Sequence, residues 1–263
     1  MSEQPVLVAV SHGTRSATGR RTIAQLRLAV AAARPGTEVV AAHVDVQKPA
    51  LDAVVARLAV AGRACVVVPL LLSTGYHVRS DVASAVRAAR RAGGAAVAAA
   101  ALGPDTALVD VLCDRLAAAG ARDDDAVVLA AAGSLAPQAV ADVERVLASL
   151  SARRDGPVVA GYASAQEPTV PQACAALREA HPTRRVAVVP YLLAPGVFSQ
   201  RLDALLDGSG AAAPADVVAK TLCADGDVDP RLAALALRRY DEALEGLRQE
   251  PERVGPLAGA GLG

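Results

Sequence analysis

The 263-residue chain carries 27 basic and 27 acidic side chains, so its net charge is zero and its composition does not favour nucleic acid as a partner. Aromatic residues make up only 2% of the chain, which leaves few side chains that could stack on exposed bases. Because no apolar stretch reaches the ~20 residues of a membrane span and no secretory signal precedes the chain's first strand, we expect a cytoplasmic protein that binds no membrane.

Strands and helices alternate from the start of the chain. The run over 6–11 is apolar throughout and typical of a strand buried on both faces, and 17–33 has the spacing of an amphipathic helix. Further strands are predicted over 38–46, 65–72 and 95–102, and further helices over 49–61, 78–92 and 105–119. Such alternation with short loops predicts an α/β fold with a parallel sheet and right-handed crossovers.

The pattern of the first half begins again about 120 residues later. Segments 128–135, 158–168 and 190–196 repeat the segments 7–15, 39–49 and 69–75 at nearly constant offsets. The sequence therefore predicts two tandem similar domains, each a mainly four-stranded parallel sheet flanked by helices in flavodoxin-like layers. We place the first domain at 1–123, the second at 124–248, and a disordered tail rich in Gly, Pro and Ala at 249–263.

The two copies differ where chemistry would take place. The strand pattern persists in the second copy, but every candidate ligand of the first has been replaced there. The pairs are His12 with Ala132, His43 with Tyr162, Asp45 with Ser164, and His77 with Phe198. This asymmetry favours a single working site in the first half.

Three of these residues lie at or just beyond the ends of the first three predicted strands. Because the carboxyl ends of parallel strands meet at one edge of a sheet, His12, Asp45 and His77 are expected to lie around one crevice. Two imidazoles and a carboxylate suit a first-row divalent metal ion, and neutral imidazole also accepts protons. Alternatively, Asp45 could simply bond backbone amides in its turn. His43, two residues before Asp45, is a possible fourth contributor.

Two arginines lie shortly after these histidines. Arg15 and Arg79 could bind carboxylate groups of a ligand, although a solvated surface position is the common alternative for an arginine.

The features that identify a family are the segments 8–15 (Val-Ala-Val-Ser-His-Gly-Thr-Arg) and 68–81, together with the Val-Asp pair at 44–45 and Pro49. With these features the sequence resembles the class II chelatases, which insert metal into sirohydrochlorin. The resemblance covers about residues 5–247 and is to the long, two-domain form. It maps the two metal-handling histidines of the family onto His12 and His77, and its acidic residue, often Glu, onto Asp45. Thr14 stands where relatives commonly have Ser, which keeps the hydroxyl group.

The resemblance implies an enzyme without an organic cofactor, whose substrates are sirohydrochlorin and a divalent metal ion, Fe²⁺, Co²⁺ or Ni²⁺. We expect Fe²⁺ and hence sirohaem, with Co²⁺ on the cobalamin route as the alternative. His12 and His77 would hold the ion with Asp45 and take up the pyrrole protons. Candidate substrate contacts are Arg15, Arg79, Thr14, Ser73 and His43. Because both copies lie in one chain, a monomer could build the whole cleft.

Two other functions stay open from the sequence. One is a non-catalytic carrier of a tetrapyrrole or metal on the same fold. The other is a flavodoxin-like or nucleotide-binding enzyme, although neither first strand-helix turn contains G-x-G-x-x-G or G-x-x-x-x-G-K-[ST].

Overall fold

The computed structural model describes residues 4–75, 78–203, 215–224 and 226–249. These residues form two four-stranded sheets, and all pairings between neighbouring strands are parallel. The predicted α/β class, with two similar parallel sheets flanked by helices, is confirmed.

The two halves have the same order of elements. The first half contains β1 Val6–Ser11, α1 Ala17–Ala33, β2 Val39–His43, α2 Leu51–Val60, β3 Cys65–Pro69, a π-helical turn Val78–Val82 that continues into α3 Ala83–Arg91, β4 Ala96–Ala98 and α4 Thr106–Ala118. The second half contains β5 Ala126–Ala131, α5 Pro137–Ser151, β6 Val158–Tyr162, α6 Val170–Ala180, β7 Val186–Tyr191, α7 Val197–Asp203, β8 Val217–Val218 and α8 Pro230–Gln249.

α8, the longest helix among the described residues, ends at Gln249, the first residue of the tail that the sequence predicts to be disordered. The remainder of that predicted tail, 250–263, lies outside the described residues. None of the helices in the described ranges is both long and apolar enough to cross a membrane.

The strand order creates a crevice in each sheet. It is β2-β1-β3-β4 in the first sheet and β6-β5-β7-β8 in the second. The chain therefore extends each sheet first to one side of its first strand and then to the other. In parallel sheets this reversal leaves an opening at the carboxyl ends of the two central strands, which is where ligands bind. Those strands are β1 with β3, and β5 with β7.

The bounds of β1 and α1 agree with the sequence prediction, but the later strands of the first half are shorter than predicted. β2 ends at His43, β3 ends at Pro69, and β4 has only three residues. Beyond β3 and β4 the chain keeps buried apolar residues in loops at the end of the sheet, as Leu70 and Leu102 show, whereas Asp45 and Val46 beyond β2 are exposed. In the segments that contain β3 and β4, the apolar run therefore extends past the residues that form hydrogen bonds within the sheet.

Each half ends in a helix that covers the sheet of the other half. α4 packs against β7 of the second sheet, and α8 packs against β3 and β4 of the first. As a result one continuous apolar core contains Leu7 of β1 and Leu235 of α8 together with Leu112 of α4 and Leu129 of β5. The two halves are thus joined through their cores as well as through the chain.

Two arginines at corresponding positions of α4 and α8 reinforce this exchange. Arg115 donates to the carbonyl oxygen of Leu222 at 3.0 Å, and Arg239 donates to that of Leu102 at 3.2 Å. Each guanidinium therefore satisfies a carbonyl of the loop that follows the last strand of the other half's sheet.

Candidate active site

A cleft opens between the two halves, where the carboxyl ends of their central strands face each other. Its cavity measures about 660 Å³, and the loops after β1, β3, β5 and β7 form its walls. The polar part of the lining includes Ser11, His12, Thr14, Gln47, Ser73 and Tyr191. A mostly apolar cavity with a few polar groups is typical of a site for a small organic molecule.

His12 follows the last residue of β1 and lines this cavity, as the sequence predicts. The residue is exposed, and its Nδ1 lies 3.3 Å from the carbonyl oxygen of Gly13. The imidazole is therefore accessible to a ligand in the cleft.

The end of β1 is pressed against the turn that follows β2. The N–H of Asp45 donates to the carbonyl oxygen of His12 at 2.9 Å. Gly13 has φ of 96°, and a Cβ atom at this position would lie 2.1 Å from the carbonyl oxygen of Asp45. Only glycine allows this approach, because it has neither a Cβ atom nor the steric penalty at positive φ. The backbones of His12 and Asp45 are thus neighbours, as expected from their strand ends.

The carboxylate of Asp45 has a local partner. One of its oxygens accepts a hydrogen bond from the N–H of Val46 at 2.7 Å, in a turn where Val46 has φ of 63°. The residue is exposed and does not line the main cavity. The structure thus shows the backbone contact that the sequence left open as an alternative, while a role as metal ligand stays a prediction.

His43 is the last residue of β2 and does not line the cleft. It is buried, and its Nδ1 is 2.9 Å from the hydroxyl oxygen of Ser11. Burial lowers the pKa of His43, and the charge of Arg27 lowers it further, so its imidazole is neutral at pH 7. It lines a smaller adjoining cavity and not the main one. His43 and His12 therefore face different spaces.

The other predicted contacts fall into two groups. Thr14 and Ser73 line the main cavity, whereas Arg15 is exposed and outside its lining. His77 lies outside the described residues, as does the side chain of Arg79. Among the described residues, no three His, Cys, Asp or Glu side chains lie close enough together to hold a metal ion.

The sequence did not indicate that the second half holds the loop after β3. The hydroxyl of Tyr191 donates to the carbonyl oxygen of Leu72 at 2.8 Å. The carboxylate of Asp142, whose residue is only 1% exposed, accepts the N–H of Thr74 at 2.7 Å. This loop lines the cavity and leads, two residues after Gly75, to His77. The available sequence clue was that Asp142 stands on an otherwise apolar helix face.

Gln47 is a second residue that the sequence analysis missed. Its Oε1 accepts the N–H of Thr14 at 2.8 Å, so it joins the loops after β1 and β2. In the second half Gln166 joins the corresponding loops by donating to the carbonyl oxygen of Ser134 at 2.8 Å. The presence of glutamine in both copies was the clue, and it indicates a structural role.

The family model CbiX matches the chain twice, over residues 6–119 and 126–243. The chain belongs to the CbiX family. The two matches correspond to the two copies that the internal repeat indicates, so this chain contains the CbiX unit twice. No match was found among curated protein sequences.

Solved structures share the CbiX fold over nearly the whole chain. SirB from Bacillus subtilis with Fe³⁺ has a TM-score of 0.78 at 21% identity, covering 94% of this chain and 98% of that chain. The sirohydrochlorin chelatase SirB from Bacillus subtilis subspecies spizizenii in complex with cobalt has a TM-score of 0.70 at 20% identity, covering 94% and 98%. CbiX, described as the terminal enzyme for biosynthesis of siroheme in denitrifying bacteria, has a TM-score of 0.63 at 20% identity, covering 90% and 99%.

The close backbone approach at Gly13 gives a testable prediction about the CbiX fold. Gly13→Ala is expected to lower the free energy of unfolding by about 1–3 kcal/mol beyond the cost of positive φ alone, because the Asp45 turn must move. Gly36→Ala is the control, since Gly36 has φ of 92° but open space around its Cβ position. Urea unfolding of both variants makes the comparison. Equal losses would contradict the steric explanation.

Proposed function

We propose that this chain inserts a divalent metal ion into sirohydrochlorin. The observation that carries the proposal is the position of His12, at the end of β1 on the wall of a cleft of about 660 Å³ that both repeats enclose. The corresponding residue of the second repeat, Ala132, lines the same cleft and has no metal-binding group. Membership of the CbiX family and the likeness to SirB support the proposal.

The proposed reaction needs a proton acceptor on one face of the ring. Two pyrrole N–H protons leave as the ion enters, and the ion must lose water molecules. With the ring in the cleft, His12 can contact the ion and accept a proton, since imidazole is a base near neutral pH. We assign the same role to His77, whereas the corresponding residues of the opposite wall, Ala132 and Phe198, carry no metal-binding group.

We further propose that Asp45 lowers the positive charge of the ion beside His12. Its backbone N–H donates to the carbonyl oxygen of His12, so the two residues are neighbours at the end of β1. A loose set of two histidines and one carboxylate suits an ion that has to be passed on, whereas a closed four-ligand site would retain it.

Several first-row divalent ions fit the proposed set of ligands. Imidazole and carboxylate ligands suit Fe²⁺, Co²⁺ and Ni²⁺ alike, because the order of affinities follows the ion more than the site. We propose Fe²⁺, with Co²⁺ as the alternative, and no organic cofactor. Because both walls come from one chain, we propose that a monomer is active, and that it works in the cytoplasm.

Anaerobic absorbance spectroscopy of sirohydrochlorin with each ion tests the proposal. A chelatase converts many equivalents of sirohydrochlorin per chain, and the ion with the higher kcat/KM identifies the pathway. A carrier of the tetrapyrrole would form at most one equivalent of the metal complex per chain above the uncatalysed rate. That outcome would replace the enzymatic proposal with the carrier.

A further inference from the structure

A second, smaller cavity of about 310 Å³ lies next to the cleft. One face of α1 lines it with Arg20, Ile23 and Arg27, which are three, four or seven residues apart and so lie along one side of the helix. β2 and the turn before Pro49 form the rest. Ile23 and Gln47 line both cavities, so the smaller one shares a wall with the cleft that contains His12.

This smaller cavity is strongly cationic. Arg20, Arg27 and Lys48 line it, and none of its lining residues in the described part of the chain is acidic. Arg27 is half-buried, and burial lowers its pKa. Within the described parts of the chain Arg27 has no carboxylate partner, whereas Arg34 and Arg63 pair with Asp241 and Glu38. A cation that has lost water without gaining an anion is stabilised when an anionic ligand binds.

The second repeat lacks this cluster of cations. α1 and α5 correspond from their first residues, which pairs Arg20 with Val140 and Arg27 with Leu147. Lys48 and Glu167 correspond because each precedes a cis proline. Two cations are thus replaced by apolar residues and the third by an acid. If these cations served only solubility or the fold, both repeats could carry them, but they occur only beside the histidine-bearing site.

We propose that Arg20, Arg27 and Lys48 form a subsite for a peripheral carboxylate group of the tetrapyrrole bound in the adjoining cleft. The inference rests on the proposed chelatase function and adds to it. Sirohydrochlorin carries acid side chains around its ring, and a guanidinium group binds a planar carboxylate through two parallel hydrogen bonds. An acid group held here would fix the rotation of the ring in the cleft and therefore which pyrrole nitrogens face His12.

The decisive variant is Arg27→Leu, which introduces the residue of the second repeat. We expect KM for sirohydrochlorin to rise about tenfold, as for the loss of one charge-assisted contact. We expect kcat to change less than about twofold, because the contact is remote from the metal. Added NaCl should raise the wild-type KM and affect the variant less. Arg27→Lys, which keeps the charge, should recover part of the affinity.

Arg57→Leu is the matched control. Arg57 is an exposed residue of α2 that lines neither cavity, so its loss makes the same charge change elsewhere. Equal KM values for Arg27→Leu and Arg57→Leu would overturn the subsite and leave the chelatase function intact. If the Arg27→Leu protein does not fold, as judged by circular dichroism, Lys48→Gln carries the same expectation.

Two further measurements complete the test. One identifies which anion the subsite binds, and the other distinguishes failure of the subsite from failure of the chelatase function. Inorganic phosphate that binds through Arg27 while KM for sirohydrochlorin stays the same in Arg27→Leu would assign the site to a free anion and overturn the proposal. If the wild type shows no turnover, the chelatase function fails. Equilibrium titration of sirohydrochlorin into both variants then decides whether Arg27 binds the tetrapyrrole.

Discussion

Replacement of His12 by alanine is expected to lower kcat for metal insertion by about 10²–10⁴-fold, the usual contribution of a general base, with KM for sirohydrochlorin changed only a few-fold. The imidazole would contact the ion and accept a pyrrole proton, whereas the ring would be held mainly by the apolar walls of the cleft. Because His12 is exposed, its loss should leave the thermal midpoint unchanged. His77→Ala is expected to have an effect on kcat of the same order. Initial rates from anaerobic absorbance measure both.

His181→Ala provides the control for this experiment. His181 is the C-cap residue of α6 in the second repeat and does not line the cleft. Phe198→Ala changes the residue that corresponds to His77 and should retain kcat within a few-fold. A His12→Ala protein with unchanged kcat, or a larger loss in Phe198→Ala, would show that the chemistry does not depend on the first-repeat histidine.

Replacement of Asp142 by alanine is the second variant for which we expect a large effect. It leaves the half-buried N–H of Thr74 without its acceptor and should lower the free energy of unfolding by about 1–3 kcal/mol. The loop that leads to His77 would then lose its fixed position, and kcat should fall about tenfold or more, since misplacement of about 1 Å can cost 10²-fold. Urea unfolding and initial rates, both well below the thermal midpoint, measure the two effects.

A conservative variant and a symmetry-related control distinguish positioning from general destabilisation. Asp142→Asn keeps an acceptor oxygen for Thr74 and should restore most of kcat. Thr22 occupies the corresponding position of α1, is fully buried, and its hydroxyl has no hydrogen-bond partner among the described residues. Thr22→Val should therefore be neutral or stabilising and should keep kcat. If Asp142→Ala loses stability but not kcat, the bond to Thr74 supports the fold alone.

The second repeat lacks the candidate histidines, but its hydrogen bonds through Asp142 and Tyr191 give it a structural role at the site. Both cross the cleft and hold the backbone of the loop after β3. The second repeat thus forms the opposite wall of the cleft and also supports the first-repeat loop that leads to His77.

The alternation of apolar runs was enough to predict β1, α1 and the parallel sheets, because burial on both faces of a strand requires an unbroken apolar run. The comparison of the two copies selected His12, Asp45 and His77 as candidates, because residues that a retained scaffold does not need are free to change, and their roles stay predictions. The same comparison could have found Arg27, but its position on an amphipathic helix face also fits a solvated residue.

The sequence by itself determined the α/β class, the duplication and the strand end that carries His12, since these follow from local periodicity and from the strand-end rule of parallel sheets. Only the tertiary structure decided that α4 and α8 exchange between the halves, that the carboxylate of Asp45 bonds Val46, that His43 lines the smaller cavity and not the cleft, and that Asp142 anchors Thr74. These features depend on contacts between segments far apart in the chain and on the direction of single side chains. Neither is encoded in the spacing of apolar residues along one element.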